Sequence, residues 1–129
     1  MQFTLTQSGE VQLHVSGQNW QLTFDSPAEY GGRNIGPTPT EMTAICLAAC
    51  KALTGLIWAR RRGLQLDGLT VRVEADYASS PSRIGRVRVA VEGVGERLGD
   101  KRERFIAAME ACPVANTLRH PPAVELTVT

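Results

Sequence analysis

One long apolar segment dominates the chain, running from Pro39 to Arg62. Within it, apolar side chains return at steps of three and four residues, the spacing that places residues on one face of an α-helix. These residues are Met42, Ile45, Cys46, Ala49, Cys50, Leu53, Leu56 and Ile57. The pattern predicts a long helix around which the remainder of the chain is arranged.

Signals at both ends support this helix. Thr38 and Glu41 have the spacing of a capping box, and Pro39 takes the first helical position, where its missing N–H costs nothing. Arg60–Arg62 come where the helix dipole favours cations, and Gly63 can take the left-handed conformation that ends a helix. We therefore expect one uninterrupted helix between these signals.

Few charges interrupt this helix, since Lys51 is the sole charged residue between Met42 and Ala59. The opposite face, with Leu47 and Trp58, is also mostly apolar, so nearly all sides of the helix need cover. The length would also suit a membrane span. We favour a core helix, because Lys51 lies mid-segment, no second apolar run exists, and the neighbouring strands need an apolar partner.

Alternating apolar and polar residues predict strands on both sides of the helix. The strands lie at residues 3–7, 11–15, 20–24, 69–76 and 86–93. The first three are joined by glycine-containing turns into an antiparallel meander, and the last two form a hairpin. Residues 25–37, rich in Gly and Pro, are predicted to be a flexible loop.

The C-terminal third is predicted to be mainly helical. A second, amphipathic helix is expected from Asp100 to Cys112, followed by a further helical turn from Pro113 to Arg119. Residues 124–128 alternate as a closing strand. The predicted order is βββ-α-ββ-αα-β, that of an α+β protein, and residues 1–129 are expected to form a single domain.

Composition and charge narrow the range of functions. The net charge is +1 and aromatic residues make up 5% of the chain, which argues against nucleic acid as a partner, since binding it needs a basic face and usually stacking platforms. Basic residues cluster after residue 59, and we interpret them as solvated surface. Because no leader with a basic end and an apolar block is present, a cytoplasmic protein outside the membrane is expected.

No cofactor and no metal are predicted. The two histidines, His14 and His120, are far apart and lack the spacing of a zinc site. The glycines of residues 31–36 do not match a phosphate-binding loop, because no Lys-Ser or Lys-Thr pair follows them.

The three cysteines are the remaining candidates for chemistry. Cys46 and Cys50 share the apolar stripe of the long helix, where a small buried hydrophobic residue is the simplest role. Cys112 precedes Pro113 at a helix start, so backbone N–H groups are expected to favour its thiolate and lower its pKa. Two distant cysteines are also the minimum for reversible oxidation, in which one attacks and the other resolves. The residues alone leave both interpretations open.

Several motifs occur in a fixed order along the chain. A helix begins P-x-E and carries Cys50 nine residues after Glu41; a basic stretch with Gly, V-x-V strands and a late Cys-Pro-Val follow. The set, including LTGLIWARRRGLQLDGLTVRVE and CPVANTL, resembles the OsmC/Ohr family of thiol peroxidases over nearly the whole chain. The P-x-E spacing is more similar to the less characterised OsmC-related branch than to the organic hydroperoxide resistance proteins.

The resemblance implies a fold, an assembly and a reaction. The fold is an intertwined homodimer, in which antiparallel strands wrap two long central helices and the active sites lie at the subunit interface. In the reaction, Cys50 attacks the distal oxygen of an organic hydroperoxide and Cys112 resolves the resulting sulfenic acid as a disulfide. A dithiol reductant, lipoyl-type in the family, then regenerates the thiols.

The resemblance also implies a cation beside the reactive thiolate, since a buried thiolate needs one. In the hydroperoxide-resistance branch an arginine of the N-terminal strands serves, held by a glutamate at the start of the central helix. Residues 1–32 of this chain contain no Arg or Lys, so Arg33 is the candidate, with Glu41 to orient it. That departure keeps a second function open: a non-catalytic dimer that binds a small apolar ligand or senses oxidants.

Overall fold

The computed structural model describes all 129 residues, 1–129, which form two compact units, Met1–Thr43 and Ala44–Thr129. The boundary falls within the long helix α1, which spans Pro39–Arg61. The antiparallel strands and the long central helix make this an α+β fold, as the sequence predicts.

The first unit contains the predicted meander. Its strands are β1 (Leu5–Gly9), β2 (Gln12–Ser16) and β3 (Gln21–Phe24), which pair antiparallel in sequence order. In β2, Val15 faces Leu5 on one neighbour and Leu22 on the other. Val15 is buried, whereas Leu5 and Leu13 stay exposed. The apolar positions of this sheet are therefore only partly covered within one chain.

The loop after β3 is ordered around Asp25, which is buried. Its carboxylate accepts hydrogen bonds from Gln12 Nε2 (3.0 Å) and from the backbone N–H groups of Ser26 (2.7 Å), Arg33 (3.1 Å) and Ile35 (3.2 Å). Burial alone would raise the pKa of Asp25, but these hydrogen bonds outweigh it and hold the pKa below its usual value. The prediction of a flexible loop misses this carboxylate, because one Asp after a strand gives no periodic signal.

The second unit combines a hairpin with helices. Its elements after α1 are β4 (Thr70–Ala78), β5 (Arg83–Glu92), α2 (Gly95–Leu98), α3 (Arg102–Glu110) and α4 (Pro113–Arg119). The amphipathic helix begins at Arg102 rather than at Asp100, because a 3₁₀ turn at Gly99–Lys101 comes first. The largest core cluster consists of Ala59, Leu66, Val94, Leu98, Phe105 and Met109.

The outer face of the β4–β5 hairpin is charged and solvated, as predicted. Arg72 pairs with Glu92, and Arg88 pairs with both Glu74 and Asp76. Salt bridges as exposed as these contribute little to stability. The charged face of this sheet therefore needs no functional explanation.

The long helix α1 begins with one half of the predicted capping box, since Glu41 N donates to Thr38 Oγ1 at 3.1 Å.

The face that α1 buries differs from the predicted one. The buried face is built of mostly small residues: Ala44, Leu47, Ala48, Ala52, Gly55 and Ala59. By contrast, Ile45, Leu53 and Ile57 of the predicted stripe are 44%, 58% and 52% exposed. These three large apolar side chains of α1 are therefore uncovered within one chain.

Close packing explains why the small-residue face is the buried one. A Cβ atom placed on Gly55 would lie 2.7 Å from the Phe105 ring and 2.8 Å from Met109, both on α3. Helices approach this closely only where their side chains are small. By length and composition α1 is also apolar enough to cross a membrane, with 33% of its most apolar window buried. Its contacts with α3 are those of a core helix.

The predicted closing strand does not form. Residues 121–129 are neither helix nor strand, and Val124, Leu126 and Val128 are 86%, 89% and 91% exposed. A strand needs a hydrogen-bonded neighbour, and no strand of this chain pairs with the segment. The predicted strand is therefore wrong for this chain, because alternation alone does not specify a partner strand.

Candidate thiol site

Cys50 lies on α1 at the border of its buried face. It is half-buried and packs against a small cluster formed by Leu47, Cys112 and Ala115. It is therefore placed between the core of the second unit and solvent.

Cys112 joins α3 to α4 and caps the start of α4. Its backbone is extended, Pro113 takes the first helical position, and its Sγ accepts a hydrogen bond from Ala115 N at 3.3 Å. This is the N-terminal geometry that the sequence predicts. The side chain is 0% exposed, so Cys112 is sealed from solvent in this conformation.

The predicted low pKa of Cys112 is wrong in direction. Burial is the largest influence and raises the pKa of the Cys112 thiol. The Ala115 N–H lowers this pKa, the neighbouring Cys50 thiol raises it further, and the Lys51 ammonium opposes the rise without cancelling it. The packing that brings the N–H group to the sulfur also removes water, and desolvation outweighs the hydrogen bond.

The two predicted redox cysteines meet in the second unit. Cys50 packs against the buried cluster of Leu47, Cys112 and Ala115, and Val87 of β5 packs on the same cluster. The remaining cysteine, Cys46, is exposed on α1. No three His, Cys, Asp or Glu side chains are grouped closely enough to hold a metal ion.

Next to the cysteines lies a network of charged side chains. The sequence did not predict it. Lys51 Nζ lies 3.0 Å from Glu110 Oε2, and the Lys51 side chain is 12% exposed. Arg119 Nη2 donates to the same oxygen at 2.6 Å, and Arg119 Nη1 donates to the Glu110 carbonyl at 2.9 Å. Lys51 and then Arg119 hold the pKa of Glu110 below its usual value. The available signal was a lone charge in an apolar helix, directly after Cys50.

An apolar cavity of about 520 Å³ lies beside this network, between β5, α1 and α3. Most of its wall is aliphatic or aromatic, formed by residues such as Leu47, Val87, Val89, Phe105, Ile106 and Met109. Lys51 and Glu110 also line it. Arg102 lines it as well. The cavity is large enough for a small apolar molecule and combines a mostly apolar wall with a few charged groups, as ligand sites commonly do.

Arg33 and Glu41, the other predicted site residues, belong to the first unit. The backbone N–H of Arg33 is bound to Asp25, while its side chain is exposed. All ion pairs of the structure lie in the second unit, so the Arg33 guanidinium and the Glu41 carboxylate do not pair with each other here. The proposed cation pair therefore stays a prediction.

Solved structures of other proteins share this fold. One is a Psychrobacter arcticus protein assigned to osmotic stress induction and detoxification response. Its TM-score is 0.77 at 24% identity, and the match covers 89% of this chain and 85% of that one. An OsmC-like protein of Mycoplasma pneumoniae has a TM-score of 0.70 and 17% identity, covering 93% and 87%. A Vibrio cholerae protein assigned to organic hydroperoxide resistance, with captopril in one of its active sites, has a TM-score of 0.68 and 20% identity, covering 94% and 86%.

The fold and the adjoining thiols define the class: an α+β protein whose long helix carries one cysteine of a pair. The family model for OsmC-like proteins matches residues 31–127, so this chain belongs to the OsmC-like protein family. No curated protein matches the sequence. At these identities the solved structures support the fold and leave the activity to be argued from the site.

Proposed function

We propose that this protein reduces organic hydroperoxides, with Cys50 as the peroxidatic thiolate and Cys112 as the resolving thiol. The observation that carries the proposal is that Cys50 packs on the buried cluster that contains Cys112, although the two residues come from distant segments of the chain. A sulfenic acid on Cys50 would have Cys112 within reach.

The proposed reaction has three balanced steps. The Cys50 thiolate attacks the distal oxygen of the hydroperoxide, the O–O bond breaks, and the alkoxide takes a proton and leaves as an alcohol. Cys112 then attacks the sulfur of the Cys50 sulfenic acid, a disulfide forms and water leaves. A dithiol reductant, lipoyl-type as in the family, reduces the disulfide by exchange and is itself oxidised to its disulfide.

The environments of the two thiols support this division of roles. Burial keeps the pKa of Cys112 raised, so this thiol stays protonated and does not compete for peroxide. Cys50 is partly accessible, as a nucleophile must be. The organic hydroperoxide resistance assigned to the Vibrio cholerae protein of the same fold is a further support.

We propose Arg33, oriented by Glu41, as the cation that stabilises the Cys50 thiolate and polarises the peroxide. The support is chemical, since a partly buried thiolate needs a positive neighbour. Arg33 is the first basic residue of the chain, and its exposed side chain is free of ion pairs.

We also propose that the protein acts as a cytoplasmic homodimer of the OsmC-related branch. Ile45, Leu53 and Ile57 form an exposed apolar row on α1 that needs cover from another surface. The exposed segment 121–129 has the alternation of a strand and lacks a partner strand. A second copy of the chain would supply cover for the row and a pairing edge for the segment.

The proposal is tested with cumene or t-butyl hydroperoxide and the fully reduced protein. We expect peroxide to be consumed, and mass spectrometry of non-reduced peptides to show a Cys50–Cys112 disulfide. Cys50→Ser is expected to abolish both, whereas Cys46→Ser is the matched control and is expected to retain them. If the parent consumed peroxide no faster than Cys50→Ser and formed no Cys50–Cys112 disulfide, the enzymatic function would be rejected.

Arg33→Ala tests the proposed cation. Unchanged kinetics of peroxide consumption in this variant would remove Arg33 from the site.

The apolar cavity favours a second candidate function, a non-catalytic dimer that binds a small apolar ligand or senses oxidants. Such a protein would bind an apolar fluorescent probe in the cavity while consuming no peroxide. Displacement of 8-anilinonaphthalene-1-sulfonate by alkyl alcohols, with equal results for the parent and Cys50→Ser, would favour this function over catalysis.

A further inference from the structure

We propose that Lys51, fixed by Glu110 and Arg119, is a positioning residue for Cys112 that speeds closure of the Cys50–Cys112 disulfide. The inference rests on the thiol pair of the proposed function and concerns its second chemical step. Its observations are the placement of this network around Cys112 and the near burial of the Lys51 side chain.

The network brackets the short connection that carries Cys112. Glu110 is the last residue of α3 and Arg119 the last of α4, so their two contacts join the helices on either side of Cys112. Lys51 ties Glu110 to α1, the helix that carries Cys50. The three side chains therefore hold the Cys112 connection against the helix that carries its partner thiol.

The ammonium group also supplies the charge that this step needs. Cys112 must lose a proton to attack, and burial raises the pKa of its thiol. The charged and titratable groups around it are Cys50 and Lys51 from α1, Glu110 from α3 and Arg119 from α4, while β5 presents Val87. Lys51 favours the Cys112 thiolate. A mostly buried ammonium acts more strongly than an exposed one, because solvent screens it less.

An oxidant that reacts with the two thiols one after the other allows formation of the Cys50–Cys112 disulfide to be measured without peroxide. The reagent is 4,4′-dithiodipyridine, a disulfide. The Cys50 thiolate attacks one of its two sulfur atoms, so that a mixed disulfide forms on Cys50 and one thiopyridone leaves. Cys112 then attacks the Cys50 sulfur of the mixed disulfide, the Cys50–Cys112 disulfide forms and a second thiopyridone leaves. Both releases are followed by absorbance in stopped flow. A Cys46→Ser background removes the exposed third thiol.

We expect Lys51→Met to slow the second release about threefold to tenfold at neutral pH. One pKa unit changes the thiolate fraction about tenfold, and the greater nucleophilicity of a more basic thiolate offsets part of the loss. The pH at which the second release reaches half its maximal rate should rise. Lys51→Arg should restore most of the rate and of the pH profile, because it keeps the charge.

The matched control is Arg72→Met, which removes the same charge from an exposed ion pair on the outer sheet face. It should change neither release. Unchanged rate and pH profile in Lys51→Met, or equal slowing of both releases, would overturn the inference. Slowing that Lys51→Arg fails to restore would overturn the charge argument. The reagent is not a peroxide, so the two proposals can fail separately. If Lys51→Met slowed the second release but the protein consumed no peroxide, the proposed function would be contradicted and the role of Lys51 would stand.

Discussion

The two faces of α1 differ in a way that separates folding from assembly. The buried face is made mostly of Ala and Gly and lets α3 pack closely within the chain. The opposite face carries Ile45, Leu53 and Ile57, which are larger and more apolar, and it stays exposed. Burial of large apolar side chains contributes most to stability. The contrast indicates that the small face serves the fold of one chain and that the large face is kept for the proposed partner.

Enlarging the small face should have the largest effect. Gly55→Val places new atoms where even a Cβ would lie 2.7 Å from Phe105. We expect the free energy of unfolding to fall by about 2–3 kcal/mol, the range of an overpacked core, measured by urea denaturation. The control change at an exposed helix residue outside the proposed interface, Ala107→Val on α3, should cost at least about 1 kcal/mol less, since surface changes stay within about 0.5 kcal/mol. Equal losses would contradict the close packing of the small face.

Adding charge to the large face should affect assembly next most strongly. Leu53→Glu would bury an unpaired carboxylate in the proposed interface. We expect the dimer dissociation constant to rise about thirtyfold, roughly 2 kcal/mol, measured by sedimentation equilibrium. The unfolding free energy of the single chain should change little. Gln65→Glu, which adds one negative charge at an exposed residue outside α1, is the control. A protein that sediments as a monomer before any substitution would contradict the proposed dimer.

The periodicity of the sequence predicted where elements lie better than which faces they bury. The ends of α1, the meander and the helical turn from Pro113 came from capping residues and alternation, which are local signals. The choice between the faces of α1 depended on α3, a partner distant in sequence. The strand predicted at residues 124–128 failed for the same reason, since its alternation does not specify a neighbour.

The site was predictable to the same extent. Cys50 and Cys112 came from motif order, and in the structure Cys50 packs on the cluster that contains Cys112, while their roles stay a prediction. Lys51 and its partners were missed, because the pairing of Lys51 with Glu110 exists only once α1 and α3 pack together. The direction of the Cys112 pKa was missed because a cap is visible in sequence whereas the depth of burial is not.

Replacing a buried and an exposed cysteine should show the same contrast in the free energy of unfolding, with a smaller difference. Cys112→Ala removes the acceptor of the Ala115 N–H in a buried place, and we expect a loss of about 1 kcal/mol. Cys46→Ala lies on the exposed side of α1 and should change stability by less than about 0.5 kcal/mol. Thermal unfolding of the reduced proteins measures both. Equal losses would place Cys46 in a packed environment within the chain.

The smallest expected effect concerns the acid sensitivity conferred by Glu110. Its pKa is held low by Lys51 and Arg119. A carboxyl whose pKa is lowered in the folded state stabilises the protein above its unfolded pKa of about 4.3, and this contribution is lost as pH falls through the lower folded value. Glu110→Gln should therefore reduce stability near pH 6 and converge with the parent near pH 3. Glu110 is 54% exposed, so the difference should stay below about 1 kcal/mol.

The control for this effect is Glu103→Gln, which removes an exposed carboxylate of the same helix that forms no ion pair. Urea midpoints at several pH values should fall for Glu110→Gln and stay unchanged for Glu103→Gln. High salt should narrow the difference only partly, because the mostly buried Lys51 is screened less than an exposed charge. If salt abolished the difference, the Glu110 contact would belong with the solvated pairs of the outer sheet rather than with the packed face of α1.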